Sequence, residues 1–384
     1  MQGLIFGGQL EDLGLEFDPS LVSIRRSSGG HKIATFLRRH GYDIDVVDYV
    51  HRWSIEQLKA FIEYKVTDDC LFFGFGSTFF LNTPTVLELV KWLKERYPHI
   101  PLVAGSQNHS MMELKMDWYI YGYGENAILA LLDHFKGGPE PIHSGRMINC
   151  YVNYKSFPQD DLTVSYRDDD FIQPREILLL EFARGCKFKC KFCSFPVLGV
   201  KGDYSRTAQS VYDEMLRNYD KWGTEHYIVL DETFNDSSEK IEKFASVIEK
   251  LPFTPKMTAY IRADLITTRK KDWDNLIKMG ITSHFYGVES LNHKAAKSIG
   301  KGMDSGRIKE GLLEVDEYFR SAGHYKGHIS LIAGLPHETV DSLRDTGKWL
   351  SSYWNQNSYH MNVLMIKDLE RNTETLNHNS EFDK

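Results

Sequence analysis

The chain contains no apolar segment long enough to cross a membrane as a helix. Such a segment needs about 20 consecutive apolar residues, and no run in the 384 residues approaches this length. The N-terminus also lacks the basic and apolar regions of a secretory signal. Positive charge is not in excess, since 46 Lys and Arg stand against 53 Asp and Glu. These absences predict a soluble cytoplasmic protein that has no membrane partner. They give no evidence of a nucleic-acid partner.

Cysteine is scarce as well. The chain has five cysteines, which are Cys70, Cys150, Cys186, Cys190 and Cys193. An odd number in a chain of this size without a secretion signal argues against a disulfide framework. Three of the five lie within eight residues, and such clustering in a reducing compartment is typical of a metal site.

Strand and helix patterns alternate through the first part of the chain, which is typical of a parallel sheet with helices on both faces. We expect residues 1–140 to form a doubly wound, Rossmann-like α/β domain, in which ligands bind at the carboxyl ends of the strands. Residues 71–76 are apolar on both faces and are predicted to be a central strand. Residues 141–175 are interpreted as a linker, with or without short strands of its own.

The alternation resumes at residue 176. Six strand patterns follow, with helical patterns between them, at residues 177–182, 226–230, 256–261, 284–288, 327–333 and 361–366. Six βα units in succession favour a partial (βα)6 barrel of the TIM type over residues 176–370, because a complete eight-unit barrel takes about 250 residues. Residues 371–384 are polar and are predicted to form a frayed tail.

The three clustered cysteines follow directly after the first predicted barrel strand. Cys186, Cys190 and Cys193 are separated by three residues and then by two. Their position predicts a loop at the carboxyl end of a strand, where parallel barrels carry catalytic groups. Three thiolates can hold a cubane iron–sulfur cluster and leave its fourth iron open to another ligand.

Other interpretations compete with this cluster. A structural zinc site requires four ligands, and a redox pair requires a thioredoxin-like setting. A buried structural role is at odds with the three lysines interleaved among the cysteines. A ferredoxin cluster would need a fourth cysteine, and neither Cys70 nor Cys150 has a motif spacing to supply it.

The cysteine triplet, with Phe192 before its last member, resembles the signature of the radical S-adenosylmethionine (SAM) superfamily. The resemblance extends from residue 177 to residue 368. It implies an enzyme whose 4Fe–4S cluster binds SAM at the open iron and cleaves it reductively to a 5′-deoxyadenosyl radical, which abstracts hydrogen from a substrate.

Later segments fit the same resemblance. It implies that Asp231 or Glu232 binds the ammonium group of SAM and that Glu289 binds the ribose hydroxyls. Lys301 matches a position that contacts the SAM carboxylate, although a solvated surface lysine is the alternative.

Four more positions belong to this predicted cofactor site. Ser290 follows Glu289, and Ser330 and Gly334 lie in the fifth-strand segment, which packs against adenine in the family. Arg262 ends the third strand, where it either clamps a carboxylate or substrate, or pairs with Asp264.

Residues 1–140 resemble the cobalamin-binding domain that precedes the barrel in one branch of the superfamily. The resemblance implies cobalamin contacts from Gly105, Gly122, Gly124 and Glu125. The Asp-x-His-x-x-Gly motif of many cobalamin proteins is absent, and only His31 remains of it. Cobalamin would therefore be held by His31 or without a protein ligand to cobalt, and the alternative for His31 is a histidine at a helix start.

The sequence thus predicts a cobalamin-dependent radical SAM enzyme that transfers a methyl group to an unreactive carbon. One alternative is a radical SAM enzyme without cobalamin chemistry, such as an epimerase or a cyclase. A second alternative is an iron–sulfur or metal-binding scaffold without catalytic activity. The expected partners are a small-molecule or peptide substrate and an electron donor such as flavodoxin or ferredoxin. The sequence identifies no catalytic residue for the chemistry of the substrate.

Overall fold

The computed structural model describes residues 1–8, 26–76, 84–106, 115–154, 163–193, 204–301 and 304–364. The chain divides into two compact units, Met1–Leu179 and Leu180–Lys384. No helix among the described residues is long and apolar enough to cross a membrane. The predicted polar tail lies outside the described residues, as do the last two residues of the predicted sixth barrel strand.

The first unit contains a six-stranded sheet in which every neighbouring pair of strands is parallel. The strands are β1 (Gly3–Phe6), β2 (Ile44–Val47), β3 (Phe72–Gly76), β4 (Leu102–Ser106), β5 (Trp118–Tyr121) and β6 (Met147–Asn149). Their order is β2-β1-β3-β4-β5-β6, so the winding reverses between β1 and β3, as in a doubly wound fold. The described helices are α1 (Ser28–Arg39), α2 (Ile55–Lys65), α3 (Pro84–Arg96) and α4 (Glu125–Phe135).

Side-chain caps and apolar strands account for these elements. The Ser54 hydroxyl accepts a hydrogen bond from the Gln57 backbone N–H, and Gln57 Oε1 accepts one from the Ser54 backbone N–H, so a capping box begins α2. The Ser27 hydroxyl accepts from Gly30 N and begins α1. Phe72, Phe73 and Phe75 are almost fully buried, and their strand lies between β1 and β4, which confirms its predicted central place.

A network of buried charges attaches the end of the first unit to its sheet and first helix. The Arg26 guanidinium donates to Asp48 Oδ2 at 2.9 Å and to Glu176 Oε1 at 2.6 Å. Arg38 donates to both carboxylate oxygens of Asp170, at 3.0 and 3.1 Å. Strand β6 also falls in the segment interpreted as a linker, and it pairs with β5. The described parts of that segment therefore pack as part of the first unit.

The second unit contains a second six-stranded sheet. The strands of this part of the chain are β7 (Leu178–Leu180), β8 (Ala183–Arg184), β9 (Tyr204–Ser205), β10 (His226–Val229), β11 (Lys256–Ile261), β12 (Ile281–Glu289), β13 (Lys326–Ala333) and β14 (Ser358–Val363). The sheet order is β7-β10-β11-β12-β13-β14, which follows the chain, and β8 and β9 form a separate antiparallel pair. The described helices are α5 (Ala208–Trp222), α6 (Ser238–Ile248), α7 (Ala263–Thr268), α8 (Trp273–Lys278), α9 (His293–Ser298), α10 (Ser305–Ala322) and α11 (Val340–Tyr353).

Successive parallel strands with helices between them are the architecture of a partial barrel. The predicted fold class, a doubly wound sheet followed by a partial (βα)6 barrel, is confirmed. The last strand lies three residues earlier than predicted. It is an edge strand with Tyr359, Met361 and Val363 exposed, so its sequence lacks the continuous apolar run of a buried strand.

Candidate functional site

Five strands of the second sheet bring predicted site residues to the same edge. Parallel strands share one carboxyl edge, and this edge carries the functional groups of barrel enzymes. The cysteine loop follows β7 and β8, Asp231 and Glu232 follow β10, and Arg262 follows β11. Glu289 ends β12, and Gly334 follows β13 directly. The topology therefore assembles most of the predicted site.

The cysteine loop is compact and partly open to solvent. Cys186, Cys190 and Cys193 are half-buried, and none of them is in a disulfide. The Cys193 N–H donates to the Cys190 carbonyl at 3.1 Å, which forms a turn between them. Gly300 approaches the loop with φ of 84°, and a Cβ there would lie 3.5 Å from the Lys189 carbonyl oxygen. Glycine thus permits close packing against the loop.

The donor set suits an iron–sulfur cluster better than zinc. In the described chain, no group of three or more His, Cys, Asp or Glu side chains is arranged to hold a metal ion. The three cysteines therefore share a short loop, but their sulfur atoms do not surround one point. Among the described residues the loop offers three thiols, which is the number that a cubane cluster with one open iron takes, whereas structural zinc takes four ligands.

Arg262 contacts this loop directly. Its Nη1 donates to Cys190 Sγ at 3.3 Å, and its guanidinium lies over the Phe188 ring, 3.9 Å from the centroid. It also pairs with Asp264, with Nε 2.7 Å from Oδ1. The sequence left a clamp and a pair with Asp264 as alternatives, and the structure contains the pair together with the contact to Cys190.

The two acidic residues after β10 have different surroundings. Glu232 Oε2 accepts from Gly185 N at 3.2 Å, at the start of the cysteine loop. Asp231 is buried, and its Oδ1 accepts from the backbone N–H groups of Phe182 and Ala183 at 2.8 and 3.2 Å. Glu232 is therefore the better placed of the two to contact a ligand, whereas Asp231 fixes the chain that leads into the loop.

The environment of Asp231 makes stability depend on pH. Burial raises the pKa of this carboxyl to about 7, against a usual value of 3.8, although the Lys240 ammonium lies 3.8 Å away. The folded state thus favours the protonated form. The stability that Asp231 contributes is therefore fully present below about pH 4. It is lost as the pH rises towards 7, because this carboxyl ionises at a lower pH in the unfolded chain than in the folded one.

The Asp231→Asn variant should remove this dependence. The wild type and the variant differ in their free energy of unfolding, and this difference should change by roughly a few kcal/mol from pH 4 to pH 7. Denaturant unfolding at several pH values measures it, with Asp213→Asn on the exposed face of α5 as the control. A difference that does not vary with pH would refute this role of Asp231.

Glu289 and Lys301 form a pair at the end of β12. Lys301 Nζ lies 2.9 Å from Glu289 Oε1 and also donates to the Gly287 carbonyl. Glu289 has φ of 66°, a left-handed conformation that costs a non-glycine residue about 1–3 kcal/mol. The pairing register with β13 shifts between Gly287 and Glu289, so a bulge redirects this part of the strand. Such strained positions cluster at functional sites.

A small pocket, open to solvent, lies beside this pair. Its lining includes Asp264, Gly287, Ser290 and Lys301. Lys301 is thus not a solvated surface lysine, which was the alternative, because it is largely buried in an ion pair at the edge of this space. The site offers a carboxylate, an ammonium and a hydroxyl to a polar ligand.

Glu338 joins the ends of β12 and β13, and the sequence did not identify it as a site residue. Its Oε1 accepts from Ser290 Oγ at 2.7 Å, and its Oε2 accepts from Gly334 N at 2.9 Å. Gly334 has φ of 91°, which explains why glycine occupies this turn. The only local signal was the position of Glu338 four residues after Gly334. Ser290 and Gly334 therefore belong to one hydrogen-bonded unit.

Two histidines next to Ser330 were also missed. A hydrogen bond of 2.6 Å joins His328 Nε2 to His360 Nδ1, and another of 3.0 Å joins Ser330 Oγ to His360 Nε2. Phe285 stacks on His328, with ring centroids 4.9 Å apart. Burial lowers the pKa of His360 below its usual value, so its ring is neutral at pH 7. The signal was the alternation that puts these polar residues on one face of β13 and β14.

The predicted cobalamin contacts lie at the carboxyl ends of β4 and β5 in the first unit. A Cβ added to Gly105 would meet none of the described atoms within 4 Å. Gly122 has φ of 107°, and a Cβ there would lie 2.8 Å from the Tyr151 ring, so internal packing already requires glycine. Gly124 caps α4, and Glu125 is the buried first residue of that helix.

His31 is engaged inside the first unit. Its Nε2 lies 2.6 Å from Asp48 Oδ2, and its Nδ1 lies 4.0 Å from Asp170 Oδ1. The ring is 1% exposed and packs against Tyr166. Burial acts to raise the pKa of the Asp48 carboxyl, but the His31 ring and the Arg26 guanidinium outweigh it and hold this pKa below its usual range. A buried ring in this ion network does not suit a cobalt ligand, so the alternative of a helix-start histidine fits the structure.

Residues 180–350 match the sequence pattern of the radical SAM superfamily. They form a radical SAM domain. The predicted similarity to this superfamily is confirmed for these residues. The match includes the cysteine loop, Arg262, the Glu289–Lys301 pair and Glu338.

Curated relatives extend the similarity beyond the radical SAM domain. The hopanoid C-3 methylase of Methylococcus capsulatus is 24% identical over 340 residues, which are 82% of this chain and 59% of the relative. An uncharacterized methyltransferase of Pyrococcus horikoshii is 24% identical over 167 residues, which are 44% of this chain and 35% of the relative. The chain thus spans less than two thirds of the length of both relatives.

Solved structures share the fold of the whole chain. The radical SAM methyltransferase TsrM from Kitasatospora setae, with cobalamin and a [4Fe–4S] cluster bound, has a TM-score of 0.70 at 13% identity, covering 94% of this chain and 72% of TsrM. The cobalamin-dependent radical SAM enzyme OxsB, with aqua-cobalamin bound, has a TM-score of 0.68 at 15% identity, covering 100% of this chain and 56% of OxsB. At such identities the likeness shows the fold alone.

Proposed function

We propose that the chain is a cobalamin-dependent radical SAM methyltransferase that methylates an unreactive carbon. The observation that carries the proposal is the cysteine loop of the radical SAM domain, at the same sheet edge as Glu232 and the Glu289–Lys301 pair. The doubly wound unit before it, with Gly105 at the carboxyl end of β4, supports a cobalamin cofactor. The curated hopanoid methylase and the folds of TsrM and OxsB support the same function.

In this proposal, each group of site residues has its own role in binding the cluster or SAM. Cys186, Cys190 and Cys193 hold the cluster, and Glu232 accepts hydrogen bonds from the SAM ammonium. Lys301 is placed to bind the SAM carboxylate, and Glu289 is placed to bind the ribose hydroxyls. When bound, the cluster supplies an electron that splits the sulfonium of SAM, and cobalamin supplies a carrier for the methyl group.

The first unit holds cobalamin without a protein ligand to cobalt in this proposal. His31 is the histidine left of the usual ligand motif, and its ring is committed to Asp48. Gly105 lets the macrocycle or its nucleotide tail approach the end of β4, as ligands do in doubly wound folds. Gly124 and Glu125 lie at the start of α4, just after the carboxyl end of β5, where ligands bind in doubly wound folds.

The products formed from SAM test the proposal. Anaerobic protein reconstituted with iron, sulfide and cobalamin is incubated with SAM and dithionite, and 5′-deoxyadenosine and S-adenosylhomocysteine are measured. We expect both products, with S-adenosylhomocysteine formed only when cobalamin is bound. Formation of 5′-deoxyadenosine alone would favour a radical SAM enzyme without cobalamin chemistry. Absence of both would favour a scaffold and contradict the proposal.

The physiological partners follow from the same chemistry. The reaction requires a small-molecule or peptide substrate and a low-potential electron donor of the flavodoxin or ferredoxin type. Both partners are consistent with the expected cytoplasmic location.

Lys301→Met should weaken SAM binding without preventing cluster formation. A hydrogen bond to a charged group is worth about 1.5–3 kcal/mol, so the Kd for SAM should rise about 10- to 100-fold. Equilibrium binding of SAM to the reconstituted protein measures this change. The control is Lys297→Met, since Lys297 is an exposed lysine of α9 in the same domain. Equal affinities of the two variants would remove Lys301 from the SAM site.

A further inference from the structure

Arg262 makes three contacts around the middle cysteine of the loop. Its Nη1 donates to Cys190 Sγ at 3.3 Å, and its guanidinium carbon lies 3.9 Å from the centroid of the Phe188 ring. Its Nε lies 2.7 Å from Asp264 Oδ1. Cys190 and Phe188 are both in the cysteine loop, so Arg262 connects this loop to the end of β11.

The backbone of Arg262 is fixed as firmly as its side chain. Asn235 is buried, and its Oδ1 accepts from Arg262 N at 2.8 Å, while its Nδ2 donates to Arg262 O at 3.0 Å. The Arg262 side chain is 10% exposed. An ion pair with Asp264 alone would require neither this burial nor the contact with sulfur. The surroundings therefore hold the guanidinium at Cys190.

We propose that Arg262 is a positioning residue that sets the reduction potential of the cluster through its hydrogen bond to Cys190. This inference rests on the proposed function, because it requires that Cys190 ligates the cluster. Reduction adds one electron to the cluster, taken from dithionite in the experiment below, and no covalent bond to the protein forms or breaks. A hydrogen bond to a ligand sulfur and a nearby positive charge both favour the reduced state, so Arg262 raises the potential.

Asp264 moderates this effect. Its carboxylate offsets part of the guanidinium charge, and it also holds the guanidinium in place from the side of Nε. Arg262 has five donor N–H groups in a rigid plane, so it can bind the sulfur and the carboxylate at the same time. A lysine cannot reproduce this planar geometry, although it keeps the charge.

Potentiometric titration followed by electron paramagnetic resonance tests the inference on the full-length reconstituted protein. We compare wild type with Arg262→Met, which removes the charge and the donor and still covers Phe188. We expect the one-electron reduction equilibrium to become at least tenfold less favourable, a fall of about 59 mV in the midpoint potential. Arg262→Lys should restore part of the shift. Arg307→Met, which removes an exposed charge from α10, should leave the potential unchanged.

The outcomes separate this inference from the proposed function. If the wild-type protein acquires no cluster, the proposed function itself is wrong. If the wild type carries a cluster, and the midpoint potential of Arg262→Met equals that of the Arg307→Met control, then only the proposed role of Arg262 is overturned. Iron and sulfide are measured in every sample. If Arg262→Met does not retain the cluster, Arg262→Gln replaces it, and a midpoint at or above the wild-type value overturns the inference.

Discussion

Replacing Cys186, Cys190 or Cys193 by alanine should reduce SAM cleavage to the background of iron-free protein. Each of the three thiols is needed to hold the cluster, because a cubane with one open iron has no spare protein ligand. We expect iron and sulfide to fall towards zero in each single variant and 5′-deoxyadenosine to disappear with them. The measurement combines metal analysis with product analysis after anaerobic reconstitution.

The other two cysteines provide the matched control. Cys70 and Cys150 are buried in the first unit, and burial raises the pKa of both thiols, so neither is available as a thiolate ligand at pH 7. Cys70→Ala should therefore retain iron, sulfide and SAM cleavage at wild-type levels. Loss of the cluster in Cys70→Ala, or its retention in Cys190→Ala, would contradict the assignment of ligands.

Replacing Arg26 by methionine should strongly destabilise the first unit. Asp48 and Glu176 would lose their guanidinium partner inside the protein, and the carbonyls of residues 170 and 171 would lose a donor. Removing one partner of a buried ion pair costs about 3–5 kcal/mol. Hydrogen exchange of the β1 to β5 amides in the full-length protein reports the opening of this unit separately from the other.

An exposed arginine of the same unit shows what a surface pair contributes. Arg96 pairs with Glu63 at 3.4 Å, and both side chains are about half exposed. Arg96→Met should cost less than about 1 kcal/mol, since solvent screens such pairs. A similarly small effect for Arg26→Met would show that the buried network does not hold the first unit together.

The sequence predicted best those elements that carry local signals. Strand 256–261 begins and ends at the predicted residues. Helix α1 begins at Ser28, because Ser27 caps a first turn that contains two glycines. Helices α7 and α9 have six residues each, too few to show a helical period.

The sequence predicted where the candidate site lies in the fold and which cysteines it contains. It did not predict the contacts between the site residues. A loop after the first barrel strand must lie at the carboxyl edge, whatever it contacts there. The contact between Arg262 and Cys190 joins residues 72 positions apart, and that between Ser290 and Glu338 joins residues 48 apart. No local pattern in one sequence encodes such pairs, because they depend on the register of neighbouring strands.

Glycines illustrate the same limit. Gly105 and Gly122 both end strands of the first sheet, and the sequence assigned both to cobalamin. In the structure, none of the described atoms lies within 4 Å of a Cβ added to Gly105, whereas Gly122 is required by its φ and by the Tyr151 ring. The sequence does not distinguish these two glycines, because the need for glycine at position 122 depends on Tyr151, which lies 29 positions later.

The proposed function requires that three cysteines of the radical SAM domain hold a cluster whose open iron binds SAM. The electron paramagnetic resonance spectrum of the reduced, reconstituted protein, recorded with and without SAM, measures this binding. We expect a 4Fe–4S signal that SAM changes in wild type and that Cys190→Ala lacks. A protein without iron, or a cluster signal that SAM leaves unaltered, would show that the cysteines do not have this role.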